Sequence, residues 1–205
     1  MQETTTSSRK LTVKDIITLT VLTVLMIVIA FGLNTATMFN HILNLVFAMG
    51  LICFLIAPLY VLMAHRVNKT GTIAFFMVAY ALANTVMGYW YVGLFIAVCA
   101  VVCEVIMFKP NSYKTPWKNC IAFGIFSFTM LSTSFLPLWL FWDKFYATST
   151  ASGMSAEYLN TFKNFYTNGG ILTGIAAFTV CAAVLGVIVG YVILNKYFKK
   201  AGYAD

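Results

Sequence analysis

The sequence predicts an all-α integral membrane protein with six transmembrane helices and both termini cytoplasmic, folded as a single membrane domain over residues 1–205. Three observations predict it. The chain is 61% hydrophobic and 9% charged, with a mean hydropathy of +0.87, a balance that a soluble domain of this length would have to display on its surface. Its apolar residues fall in continuous runs of helical length, not in the alternating pattern of a membrane barrel. Finally, 11 of the 13 Lys and Arg residues gather at one set of run ends.

A polar arm carrying Arg9, Lys10 and Lys14 leads into the first run, residues 11–33. A secretory signal also pairs a basic start with an apolar core, but no small-residue cleavage site ends this one, so it reads as a retained span. Further runs cover residues 42–64, 72–89, 91–108, 117–142 and 171–197. Each is near the ~20 residues that a helix rising ~1.5 Å per residue needs to cross ~30 Å of hydrocarbon. The third and fourth meet at Gly88 and read as a helical hairpin. Residues 143–170, polar and aromatic, form the one long stretch between runs and read as an outer loop.

Six spans return both ends to one side. Arg9, Lys10, Lys14, Arg66, Lys69, Lys109, Lys114, Lys118, Lys196, Lys199 and Lys200 share that side, and only Lys144 and Lys163 lie opposite. The positive-inside rule makes the basic side cytoplasmic and turns the loops near Asn40, Gly88 and Ser152 outward. The formal net charge of +7 is then a topology signal and a contact with anionic membrane lipid, with no nucleic-acid role.

Little in the chain suggests catalysis. No GxxxxGK[ST] phosphate loop is present, so energy for active transport would come from a partner or an ion gradient. His41 and His65 fall at opposite sides and no two acids share a span, which leaves an intramembrane protease without its parts. Cys53, Cys99, Cys103, Cys120 and Cys181 lie in or at the edges of spans; Cys99 and Cys103 share a helix face but lack a His or carboxylate to complete a metal site. Glu104 is the one acid within a span beyond its opening turn. Two readings of it stand: a functional group at membrane depth, or a side chain that snorkels to the nearby cytoplasmic end beside Lys109. In the last run Gly170 and Gly174, then Gly186 and Gly190, are spaced four apart and let a neighbouring helix approach closely, whether within this bundle or in another subunit.

Six short helices in about 200 residues, a basic arm running straight into the first span (RKLTVKDIITLTVLTVLM), a third-to-fourth hairpin and no ATPase together resemble the S component of an energy-coupling factor (ECF) transporter. Within that group the likeness is to the bacterial integral membrane family Trep_Strep. The resemblance implies a substrate-binding subunit that captures a vitamin, metal or similar nutrient from outside in a pocket closed by extracellular loops. It also implies that the subunit topples in the bilayer when docked on a transmembrane T subunit driven by two ATPase subunits. Many such proteins dock through an AxxxA motif on the first helix. Here the matching region reads TLTVLTVL, with Thr20 and Thr23 as its small residues.

On the outward side the first loop supplies Asn34, Met38, Asn40 and His41, and the hairpin supplies Asn84, Met87, Tyr89, Trp90 and Tyr91. The long loop adds Trp139, Trp142, Phe145, Tyr146, Tyr158, Phe162, Phe165 and Tyr166. Single aromatics at this depth are often belt residues, but so many beside so few charges favour a flat apolar ligand. The candidate ligand-binding set is His41, Met38, Asn84, Met87, Trp90, Tyr91, Trp142, Lys163 and Tyr166. His41, with Met38 or Met87, offers axial ligands for haem iron, and Lys144 or Lys163 could pair with ligand carboxylates. Haem is therefore one expected substrate, and a flavin-like or other vitamin-like molecule the other. A free divalent cation lacks the carboxylates it would want. An ion-coupled carrier and a non-catalytic assembly subunit remain as alternative roles.

Overall fold

Short polar residues set the helix starts. Thr12 and Asp15 form a capping box: the Asp15 amide donates to Thr12 Oγ1 (3.3 Å) and the Thr12 amide to Asp15 Oδ2 (2.7 Å), opening α1, Val13–Thr37. In the computed structural model, which describes residues 11–198, a π-helical turn at Leu43–Phe47 continues into α2, Ala48–Val67. Asn68 (φ 46°) and Gly71 (φ 96°) turn the chain into α3, Thr72–Val86, and Gly88 (φ 94°) turns it into α4, Trp90–Met107. A 3-10 turn at Ser112–Lys114 precedes α5, Pro116–Leu140, which has proline in its first turn where no N–H is missed. Then come α6, Trp142–Ala151, and α7, Ala156–Thr167, capped by Ser155. Last is α8, Gly169–Ile193, whose first amides at Gly170 and Ile171 donate to Asn168 Oδ1. No strand occurs among the described residues.

Five helices, including α2 with its π turn, are long and apolar enough to cross a membrane, and the protein is a multi-pass membrane protein. The sixth apolar helix, α3, has 15 residues, or about 22 Å at ~1.5 Å per residue. Two expected ends move for physical reasons. The first run gains a polar last turn from Asn34 to Thr37, and the fifth stops at Leu140 because the backbone leaves helical geometry at Phe141 (φ −143°, ψ 38°), which turns the chain into α6. The stretch 143–170, expected to be a loop, is mostly the two short helices α6 and α7. The second of these buries Leu159, Phe162 and Tyr166 on one face and exposes Glu157, Lys163 and Asn164 on the other. Arg9, Lys10, Lys199 and Lys200 lie outside the described residues.

The apolar helices form a ring in the order α1, α2, α8, α5, α4, α3, closing back on α1, with α2 and α5 also touching across it. Glycines decide the tightest contact. A Cβ at Gly186 would stand 2.6 Å from the Phe54 carbonyl oxygen, and one at Gly190 2.9 Å from Pro58 Cα, so the Gly186/Gly190 pair serves packing of α8 on α2 within this bundle. Around Gly174 there is open space.

Seven of the described Lys and Arg residues mark one end of the ring, hereafter the basic end. That end is stitched by side chains from several elements. Asn119, fully buried, accepts from the Tyr60 hydroxyl (2.9 Å) and donates to the Tyr113 carbonyl and the Tyr191 hydroxyl, both at 2.7 Å. Asp15 pairs with Lys69 at 2.6 Å. Glu104 is held locally: Oε2 accepts from the Gly71 amide (3.0 Å), while Oε1 accepts from the Ala74 amide (3.1 Å) and the Tyr113 hydroxyl (2.6 Å). It caps the N-terminus of α3 from a neighbouring helix, where a carboxylate also meets the positive end of the helix dipole.

Candidate ligand-binding cavity

At the opposite end a second apolar cluster, built on Leu45, Leu131, Phe145, Leu159, Phe162 and Tyr166, mounts α6 and α7 across the mouth of the ring. Beneath them lies a cavity of about 260 Å³. The last turns of α1 contribute Asn34 and Met38, the π turn and the start of α2 contribute Asn44, Met49 and Ile52, and the end of α3 contributes Tyr80, Asn84 and Met87. Met130, Thr133 and Ser134 come from α5, and Phe145, Tyr158, Phe162 and Tyr166 from the two capping helices. Every lining residue is uncharged.

The polar part of the wall is organised around Asn44. Its Nδ2 donates to Thr37 Oγ1 (2.8 Å) and to the Asn34 carbonyl (3.1 Å), and lies 3.3 Å from Asn34 Oδ1. Its Oδ1 accepts from the Tyr158 hydroxyl at 2.8 Å. A second phenol, Tyr166, donates to the Leu45 carbonyl at 2.7 Å. Two hydroxyls on α7 therefore fasten the cap to the π turn, where the widened backbone leaves the ordinary helical ladder. Burial raises both phenols above their usual range, so each stays a donor at neutral pH.

The sequence-derived candidates divide. Met38, Asn84, Met87 and Tyr166 line the cavity together. His41 stands beside it, its ring edge-on to Tyr158 at 5.2 Å, and is not among the lining residues. Tyr91 is buried and stacked on Phe141 at 4.6 Å, while Trp90 is half exposed. Trp142 packs on Phe145 behind the lining. Lys163 and Lys144 lie over the rings of Trp142 (5.0 Å) and Trp90 (5.8 Å), outside the cavity. On α1, Thr20 is exposed, whereas Thr23 is turned into the bundle with its hydroxyl 4.0 Å from Met63 Sδ, so only Thr20 of that pair stands at the surface.

Sequence reasoning missed Asn44, Met49, Tyr80, Met130, Thr133, Ser134 and Met154. A signal existed: an Asn within the second apolar run, and adjacent hydroxyls in the fifth. No three His, Cys, Asp or Glu side chains converge as a metal site among the described residues.

Residues 13–200 match the family described as a hypothetical bacterial integral membrane protein (Trep_Strep). No curated protein and no solved structure matches the chain.

Proposed function

We propose a nutrient-binding role in membrane transport for this chain, which belongs to the Trep_Strep family of bacterial integral membrane proteins. In this reading it is the S component of an ECF-type importer. It captures a small molecule from outside and releases it inward only with a T subunit and two ATPase subunits, which supply ATP hydrolysis. The observation that carries the reading is the uncharged cavity beneath α6 and α7, at the end of the bundle opposite the basic residues. With Lys14, Arg66, Lys69, Lys109, Lys114, Lys118 and Lys196 at the other end, the positive-inside rule turns the cavity outward and both termini inward.

The alternatives are less well supported. An ion-coupled carrier needs an ionisable group that meets both ligand and ion, and Glu104 instead spends its oxygens capping α3 at the basic end. Haem, suggested by His41, would need the α6–α7 cap displaced, because about 260 Å³ lies below the ~300–1,000 Å³ of ordinary ligand pockets. A smaller vitamin-like molecule suits the space better.

Co-expression with T and ATPase subunits tests the role. The chain should copurify with them in mild detergent, and in liposomes it should accumulate ligand with them but only bind it without them. Accumulation by the chain alone would establish a self-contained carrier, and failure to copurify would favour an assembly role.

A further inference from the structure

The cavity's lining states more than that something small binds. Five methionines, Met38, Met49, Met87, Met130 and Met154, half of the ten in the chain, line this one space. They run from the mouth, where Met38 and Met87 are 41% and 52% exposed, to the floor, where Met130 is 2% exposed. Thioethers spread over that depth make a wall, not a chelate for one ion. Such a wall, interleaved with tyrosine and phenylalanine rings, offers polarisable faces to a flat π-system, since sulfur contacts aromatic rings favourably and adapts to their outline.

Charge decides the next property. An ion placed against an uncharged lining would lose its hydration without a partner. The two cations at this end, Lys144 and Lys163, lie over tryptophan rings outside the lining. Two amides then give the cavity an edge. Asn34, in the lining, accepts from Asn44 through its oxygens, which leaves its NH2 as a donor at the cavity wall. Asn84, 5% exposed, donates its own NH2 to the Tyr80 carbonyl at 2.9 Å, which leaves its oxygen to accept. A donor and an acceptor on one cavity match a ligand edge that carries both, as a lactam or a carboxamide does.

We infer that the cavity binds an uncharged, planar heteroaromatic molecule with a lactam or carboxamide edge, read by Asn34 and Asn84 and held on its faces by methionine and aromatic side chains. The inference rests on the nutrient-binding role proposed above. The test uses the full-length chain in lipid nanodiscs and two matched probe pairs, uracil with orotate and nicotinamide with nicotinate, each pair differing by a carboxylate. Equilibrium dialysis should show the neutral member of at least one pair bound at least tenfold more tightly than its acid, a comparison that needs no variant. Asn34→Leu and Asn84→Leu should each weaken that binding at least tenfold, while Thr173→Ala on the exposed face of α8 leaves it unchanged. Equal or tighter binding of the acids, or no binding of any of the four, overturns the ligand class. So does saturable silver(I) binding lost in Met38→Leu and Met130→Leu, which would assign the thioethers to a soft ion. The transport role fails separately, by absence of copurifying T and ATPase subunits, so a negative in one experiment is not mistaken for a negative in the other.

Discussion

Removing the two phenolic hydroxyls of α7 should loosen the cap without unfolding the bundle. Tyr166 donates to the Leu45 carbonyl at 2.7 Å and Tyr158 to Asn44 Oδ1 at 2.8 Å, and both acceptors belong to the π turn. Phenylalanine preserves the ring, so the contacts of Tyr166 with Phe162 (4.9 Å) and of Tyr158 with His41 survive, and the loss is confined to hydrogen bonding. One such bond is worth about 1 kcal/mol net, so the double variant loses about 2 kcal/mol of closure, equivalent to roughly 30-fold in the opening equilibrium. Native-state hydrogen exchange reports that equilibrium directly as the rate at amides of a locally opening segment. Amides of α7 should exchange roughly fivefold faster in Tyr158→Phe or Tyr166→Phe and roughly 30-fold faster in the double variant, while amides of α5 and α8 keep their wild-type rates. Unchanged exchange in α7 of the double variant would refute the latch and leave apolar packing as the sole fastening.

Three further outcomes are expected. Gly186→Ala forces a methyl to within 2.6 Å of the Phe54 carbonyl oxygen and should cost about 1–3 kcal/mol in thermal or denaturant unfolding, whereas Gly174→Ala, in open space, should be neutral or slightly stabilising. Glu104→Ala strips an acceptor from the Gly71 and Ala74 amides and from Tyr113 and should destabilise by about 1–3 kcal/mol, with Glu104→Gln partly restoring stability; equal stability of Glu104→Ala and wild type would remove the cap from the account. In a background without the five native thiols, Ser152→Cys should react with impermeant reagents from outside the cell and Lys109→Cys only after permeabilisation, and the reverse pattern would invert the proposed orientation.

The long apolar runs made α1, α2, α4, α5 and α8 legible, because each faces lipid on one side and other helices on the other. Their ends were less so. The turn from Asn34 to Thr37 is polar yet helical, because Asn44 and Thr37 bond inside the cavity wall. Helices α6 and α7 stayed hidden for a related reason: neither is strongly apolar, and what makes α7 a helix is the spacing of Leu159, Phe162 and Tyr166 against a surface that only the assembled bundle provides. The same limit governs the site. Met38, Asn84, Met87 and Tyr166 could be proposed because they lie near run ends or between runs. Met49, Met130 and Ser134 lie within continuous apolar runs or turns, where composition cannot separate a residue that lines a cavity from one that packs. His41 and Asn44 are three residues apart at the same depth, yet only Asn44 lines the cavity.

The two ends of the bundle differ in how they are fastened, and that difference says where motion belongs. At the basic end Asn119 joins α2, α5, α8 and the turn before α5, Glu104 ties α4 to the start of α3, and the Asp15–Lys69 pair ties α1 to the α2–α3 turn. Moving α5 there breaks the Asn119 bonds to α2, to α8 and to the preceding turn at once. At the cavity end α7 is held by two phenol bonds and one apolar cluster, and the turn between α6 and α7 pivots at Gly153 (φ 89°), where a Cβ would meet nothing. A ligand too large for the mouth beside Met38 and Met87 must therefore displace α7, at about 2 kcal/mol of hydrogen bonding plus part of its apolar contact, while the helices beneath stay in place. Binding energy recovered when the cap closes again must exceed that cost. This favours ligands that touch both the cap, through Tyr158 or Phe162, and the floor, through Met130, over ligands that sit only in the mouth.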